Sequence, residues 1–256
     1  MKLNPRLRAA LGWLGVAAFW LGVWAVAACA VDLELLLPSP IRVVQRLGEL
    51  VVTADFWRAT LASFGRVALG ALAALALGSL MAVGGALCPP LRRLMLPLLA
   101  IIKATPVASF ILLALVWLER GILPAFMAAL IVLPVVWGNL DAGIAAIDPA
   151  LHELARAYHL PALRHLRRIY IPAVMPHFVS ACRASLGMAW KAGIAAEVLC
   201  TPPVSMGRYL YETKLYLETT DLFAWTLTVI LLSVGIEYVF MTVLEKATKK
   251  RRADHD

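Results

Sequence analysis

Five ionisable side chains, Lys103, Arg183, Lys191, Glu197 and Glu237, fall within or beside long apolar runs of this sequence. In lipid such groups face a bundle interior, a water-filled cavity or an oppositely charged partner. Lys191 and Glu197 are six residues apart, about 240° around a helix, so they do not pair on their own helix and each needs water or a partner elsewhere. With the adjacent Trp190 they are candidates for a solute pathway; the alternative is a structural ion pair to another helix. Lys103 precedes Thr105-Pro106, where a broken helix exposes backbone groups to a cavity, and is a further pathway candidate. Arg183 lies nearer a helix end and can snorkel.

Hydrolytic chemistry inside the membrane requires convergent catalytic groups, and the sequence contains neither HExxH nor GxSxG. It also lacks a GxxxxGK[ST] phosphate loop, so no ATP-hydrolysing site is legible. Cys29, Cys88, Cys182 and Cys200 stand far apart without CxxC spacing, and no metal site is read from them. Each lies in or beside an apolar run and reads as a small buried hydrophobe.

Those residues are carried by a chain that is 62% hydrophobic and 16% charged, with a mean hydropathy of +0.81. A soluble domain carries about a quarter charged residues. Apolar stretches long enough to cross a bilayer recur along the whole length. The spacing predicts an all-α polytopic membrane protein, one transmembrane unit over 1–256, with six spans at about 9–31, 62–87, 94–118, 122–140, 177–199 and 222–244. Pro106 is expected to kink or break the third span. The first span imitates a signal peptide, with a basic head and "AACA", but its apolar stretch is longer than a signal core of about 7–15 residues, so it is expected to be retained.

Lys and Arg are distributed unevenly. Lys2, Arg6, Arg8, Arg92, Arg93, Arg156, Arg164, Arg167, Arg168 and the tail from Lys246 to Arg252 fall on one side, fourteen against seven on the other. The richer side is read as cytoplasmic, with both termini there. The same asymmetry accounts for the net charge of +8 without nucleic acid. Arg42 to Asp55 has Val43, Val44, Leu47, Leu50 and Val51 along one face, which suggests a helix lying at the outer surface. Gly70, Ala74, Gly78, Ala82 and Ala86 form a small-residue stripe that permits close helix approach, either within the chain or at a subunit interface.

The stretch "ELARAYHLPALRHLRRIYIP", Glu153 to Pro172, concentrates one acid, four arginines, two histidines and two prolines between apolar runs. Asp148-Pro149 is a helix start. Leu151, Leu154, Ala155 and Tyr158 share one face of a short helix, and Pro161 forces a turn near His159-Leu160. A second short helix is expected beyond it, with Leu163, Leu166, Ile169 and Tyr170 opposite Arg164, Arg167 and Arg168. Such a pair docks on another protein or rests on anionic headgroups.

Glu153-x-Ala155 followed by Ile169-x-Ile171-Pro172 resembles the EAA loop of inner-membrane permeases of bacterial ABC importers. Leu154 replaces the first alanine of that pattern, Ile171 its leucine, and His159 its glycine. "LPSPIRVVQRL" (37–47), "LGMAWKAGIAAEVL" (186–199) and "GRYLYETKLYLETTDLFAW" (207–225) are similar to the nitrate, sulfonate and taurine branch of that family. The resemblance implies a permease in the bacterial inner membrane, dimeric, served by two cytoplasmic ATPase subunits that hold the ATP and Mg, and by a periplasmic or lipid-anchored solute-binding protein. It further implies that Glu153, Leu154, Ala155, Tyr158, His159, Ile169 and Pro172 form the ATPase-coupling element and that the chain binds no cofactor. The competing expectation is an ion-coupled carrier working without an ATPase. Glycine at position 159 would supply a left-handed backbone, and His is among the non-glycine residues that tolerate one.

Overall fold

A computed structural model describes residues 5–253. Lys2 and His255 lie outside the described residues, as do the side chains of Arg6, Arg8, His152, Arg156, Leu163 and the basic tail from Lys246 to Arg252. Every regular element among the described residues is helical: α1 (Pro5–Val31), α2 (Pro40–Val51), α3 (Ala54–Leu87), α4 (Pro89–Ala104), α5 (Val107–Ala114), α6 (Leu123–Ala145), α7 (Pro149–Ala157), α8 (Ala162–His165), α9 (Ile171–Cys200), α10 (Met206–Leu215) and α11 (Thr219–Ala253).

Four of these helices, α1, α3, α6 and α11, are long and apolar enough to cross a membrane, and α4 with α5 makes a fifth if the bent pair counts as one span. Of the expected six, five thus have a counterpart, one of them as a bent pair, and 177–199 does not pass on composition. The segment 94–118 is not one helix: α4 stops at Ala104, α5 starts at Val107, and the two are bent by 104°. The break sits where Pro106 was expected to put it. Thr105 has ψ 129°, extended as the residue before a proline should be, and Pro106 has no N–H to continue the ladder. The segment 177–199 lies in α9, which has the length but carries Arg183, Lys191 and Glu197 along it and so falls short in apolar character. Helix α3 also starts earlier than position 62, because Thr53 caps it by accepting the Phe56 N–H at 3.3 Å.

The core is the triple contact of α3, α6 and α9. Close approach requires residues without side chains at the crossings. A Cβ on Gly70 would collide with the Ala125 backbone, and one on Gly78 would stand 3.0 Å from Val136 Cβ. The successive contacts mean that α3 and α6 run the same way. Gly193 against Val67 and Pro124, and Gly143 against the His177 ring, show α9 running against α6. Gly70, Ala74, Gly78 and Ala82 are buried and Ala86 is exposed, so four of the five stripe positions pack within the chain. Helix α1 is peripheral; Trp24 stacks on Phe223 of α11 at 5.7 Å.

Helix α2 is capped by Ser39, which accepts the Arg42 N–H at 3.4 Å. It turns Val43, Leu47 and Leu50 inward and leaves Val44 and Val51 exposed. Arg46 donates to both carboxylate oxygens of Asp221, at 2.6 and 2.8 Å, and to Glu49 at 2.6 Å. Those hydrogen bonds, Asp221 first, hold the guanidinium well above its ordinary pKa. The fork fastens α2 to the start of α11. Cys182 and Cys200 are buried as expected, but Cys29 and Cys88 are exposed because they sit where α1 ends and where α3 turns into α4.

Candidate functional site

The charged passage follows α6 directly. Asp148 Oδ1 accepts the Ala150 N–H at 2.9 Å, satisfying an orphan donor at the start of α7. Ala155 is 3% exposed, whereas Leu151, Leu154 and Tyr158 are 40%, 54% and 73% exposed. The helix thus uses its small residue to seat itself and presents its larger apolar side chains outward, with Glu153 also exposed. The Leu160 N–H reaches back to the Ala155 carbonyl at 2.9 Å, and His159 between them has φ 48°. That is the left-handed conformation a glycine adopts at a helix end, here held by a histidine.

Beyond Pro161 the expected separate second helix is absent. The four residues of α8 pass through a π-helical turn, Leu166–Tyr170, straight into α9. Ile169 is half-buried in that turn, and Pro172, the second residue of α9, has no N–H, so the ladder is one backbone bond short where the π turn passes into α9. Each of the π turn's neighbours is in α-helical geometry, so the charged passage and α9 form one continuous rod after the His159 turn.

The structure separates the pathway candidates. Glu197 is fully buried. Its carboxylate accepts from Ser63 Oγ at 2.6 Å, Arg66 Nη1 at 2.7 Å and the Gly207 N–H at 3.2 Å. Arg66 also donates to the Val204 carbonyl at 2.7 Å, and Ser63 Oγ accepts the Met206 N–H at 2.9 Å. One carboxylate therefore ties α3, α9 and the first turn of α10. A Cβ on Gly207 would run into Glu197, so the fit depends on glycine there. Trp190 is 2% exposed and donates from Nε1 to the Val229 carbonyl at 3.0 Å, linking α9 to α11.

Lys103 and Lys191 are different. Both are exposed, and among the described residues neither has an ion-pair or hydrogen-bond partner. Lys103 Nζ lies 3.7 Å from the position of a Cβ on Gly138 of α6, beside the α4–α5 break. On α9, Gly187 is one turn before Lys191, and Glu237 Oε2 of α11 lies 3.9 Å from the position of a Cβ there. Two cations without an ion-pair partner among the described residues thus stand on α4 and α9.

Arg66 and Ser63, which complete the Glu197 cluster, are not among the residues that the sequence singles out. Arg66 is one of the seven basic residues counted against the fourteen, and its three-residue spacing from Ser63 puts both on one face of a helix. That is the only local signal; the partner is 131 residues away.

A model of the binding-protein-dependent transport system inner membrane component matches residues 74–251. The chain is 24% identical over 196 residues to the taurine transport system permease protein of Escherichia coli (strain K12), an alignment covering 73% of this chain and 70% of that one. It is 26% identical to the putative aliphatic sulfonates transport permease protein of Bacillus subtilis (strain 168), covering 47% and 43%. It is also 26% identical to the bicarbonate transport system permease protein of Synechococcus elongatus (strain ATCC 33912 / PCC 7942 / FACHB-805), covering 29% and 27%. The chain thus spans less than half the length of the last two relatives.

Proposed function

The chain belongs to the binding-protein-dependent transport system inner membrane components, and on that premise we propose that it is the permease of an ABC importer, acting as a dimer and driven through residues 148–172. It is a non-catalytic, multi-pass inner-membrane component; hydrolysis of ATP belongs to separate subunits, and a solute-binding protein is the further partner such a system implies. In this reading the whole of 1–256 is one permease domain with six spans. α9 is the sixth, because Arg66 neutralises Glu197 within the protein and leaves Lys191 as a cation for an aqueous path. Both termini are cytoplasmic.

The observation that carries the coupling role is the outward apolar face of α7, Leu151, Leu154 and Tyr158, ended by the left-handed turn at His159. A surface of that shape next to basic residues suits a groove on a second protein better than it suits water. Glu153 and Ala155 lie on that helix, and Ile169 and Pro172 follow in the chain beyond the turn. The solute is proposed to carry an anionic group. Lys103 and Lys191 supply unpaired positive charge, and the relatives' names specify taurine, aliphatic sulfonates and bicarbonate.

The test is co-purification of the ATPase subunit with the wild type and with Leu154→Asp. The ATPase accompanies the wild type, and uptake of solute is blocked by vanadate. Leu154→Asp loses the ATPase while the helical bundle stays folded. Uptake that continues without an ATPase, driven by an ion gradient, would replace this reading with the secondary carrier.

A further inference from the structure

Resting on the proposed coupling through 148–172, we propose that Arg92 and Asp141 form the link that carries a displacement of α7 to α4 and its break at Thr105-Pro106. Arg92 Nε donates to Asp141 Oδ1 at 2.8 Å and Nη2 to Oδ2 at 2.9 Å, a two-pronged bond joining residues 49 positions apart. Asp141 has 17% of its side chain exposed and Arg92 46%, so the pair stands at the edge of the bundle, and its two-pronged geometry rather than burial sets it apart from a single-bonded surface pair. A planar guanidinium gripping both oxygens fixes direction as well as distance, which a lysine does not.

The placement matters more than the bond. Asp141 lies in the last two turns of α6, eight residues before α7 begins at Pro149. Two residues on, Gly143 lies against the His177 ring, where a Cβ would meet ring carbons at 2.7 and 2.8 Å. The end of α6 is therefore held on one flank by α4 and on another by α9. Arg92 packs on Gly85 of α3 at the α3–α4 corner, where a Cβ on the glycine would stand 3.4 Å from Arg92 Cβ. From Arg92, α4 continues for about 18 Å to Ala104, with Pro97 inside it and the helix unbroken across it. Lys103 stands one residue before that end, and the 104° bend lies beyond it. A push on α7 reaches α9 directly through the chain, but it reaches α4 only across a noncovalent contact. Arg92–Asp141 is the directional one. These are positioning residues; neither is proposed to touch solute or ATP.

The experiment uses the complex of this chain with its co-purifying ATPase in proteoliposomes, with the four native cysteines replaced by alanine. Ala104→Cys, at the exposed end of α4, serves as reporter. The rate of labelling by a membrane-impermeant maleimide is measured without nucleotide and with ATP plus vanadate. With Arg92 and Asp141 intact, trapping changes the rate by about tenfold, in the range of ordinary coupling energies. In Arg92→Ala, and separately in Asp141→Asn, the change falls below about twofold while the ATPase co-purifies in normal amount. The double variant loses no more than either single, because the two share one contact. An undiminished change in the single variants, or losses that multiply in the double, overturns the link. So does loss of the ATPase from all three variants, which would make the pair a folding element. Failure of the wild type to retain any ATPase would instead defeat the importer reading itself, and the link with it.

Discussion

Glu197 and His159 each show a side chain whose role is set by what surrounds it. Glu197 receives three donors and is sealed from solvent, so its removal leaves the Arg66 guanidinium short of its partner in a mostly buried site. Breaking such a pair costs about 3 kcal/mol, towards the lower end of the range for buried pairs because a fifth of Arg66 stays exposed. Glu197→Gln is therefore expected to lower the thermal midpoint of the detergent-purified protein markedly. Lys191→Met, by contrast, is expected to leave that midpoint unchanged and to reduce vanadate-sensitive uptake; normal uptake would remove Lys191 from the path. His159 pays about 1 kcal/mol for its left-handed backbone, as any non-glycine residue does. His159→Gly is expected to retain the ATPase and gain slightly in stability, whereas His159→Ile, β-branched at positive φ, should weaken ATPase retention. Co-purification measured on both variants tests the pair of outcomes together.

At the scale of helices, close approach is selective, and the glycines divide by what stands opposite them. Gly70 faces the Ala125 carbonyl group, which is backbone and cannot yield unless α3 and α6 part. Gly235 of α11 has nothing within 4 Å of its Cβ position. Gly70→Ala is thus expected to destabilise the bundle by about 3 kcal/mol, the upper range for overpacking. Gly235→Ala should be neutral or slightly stabilising, since it removes only the backbone freedom of glycine in a helix. A similar loss of thermal stability in both would mean that the α3–α6 contact is not the tight one. The α4–α5 break belongs to the same scale. Pro106 denies helical geometry to Thr105, and its replacement would let α4 continue past Ala104 and carry Lys103 away from Gly138.

For the molecule as a whole, the sequence was most informative where a signal is local. Long apolar runs marked α1, α3, α6 and α11; Pro106 marked the break; Asp148-Pro149 and Pro161 marked the ends of α7. What it did not disclose depends on distant partners. Nothing near Glu197 points to Arg66, nothing near Asp141 points to Arg92, and the exposed basic face of 164–168 does not reveal that the chain passes unbroken into α9. Pairwise contacts across 49 and 131 residues leave no periodicity to read. The orientation proposed from basic residues is also a property of the whole, and the native cysteines can test it. Cys29 and Cys88 are exposed near the ends of α1 and α3, and Cys182 and Cys200 are buried. Helices α1 and α3 are proposed to cross in opposite senses, with α1 ending outside and α3 ending inside. An impermeant maleimide added to intact spheroplasts is then expected to label Cys29 and spare Cys88, while inside-out vesicles give the reverse. Cys182 and Cys200 should stay unlabelled in both. Labelling of Cys88 from the periplasmic face would invert the topology and move α7 away from any cytoplasmic ATPase, so this one measurement bears on every step of the coupling proposal.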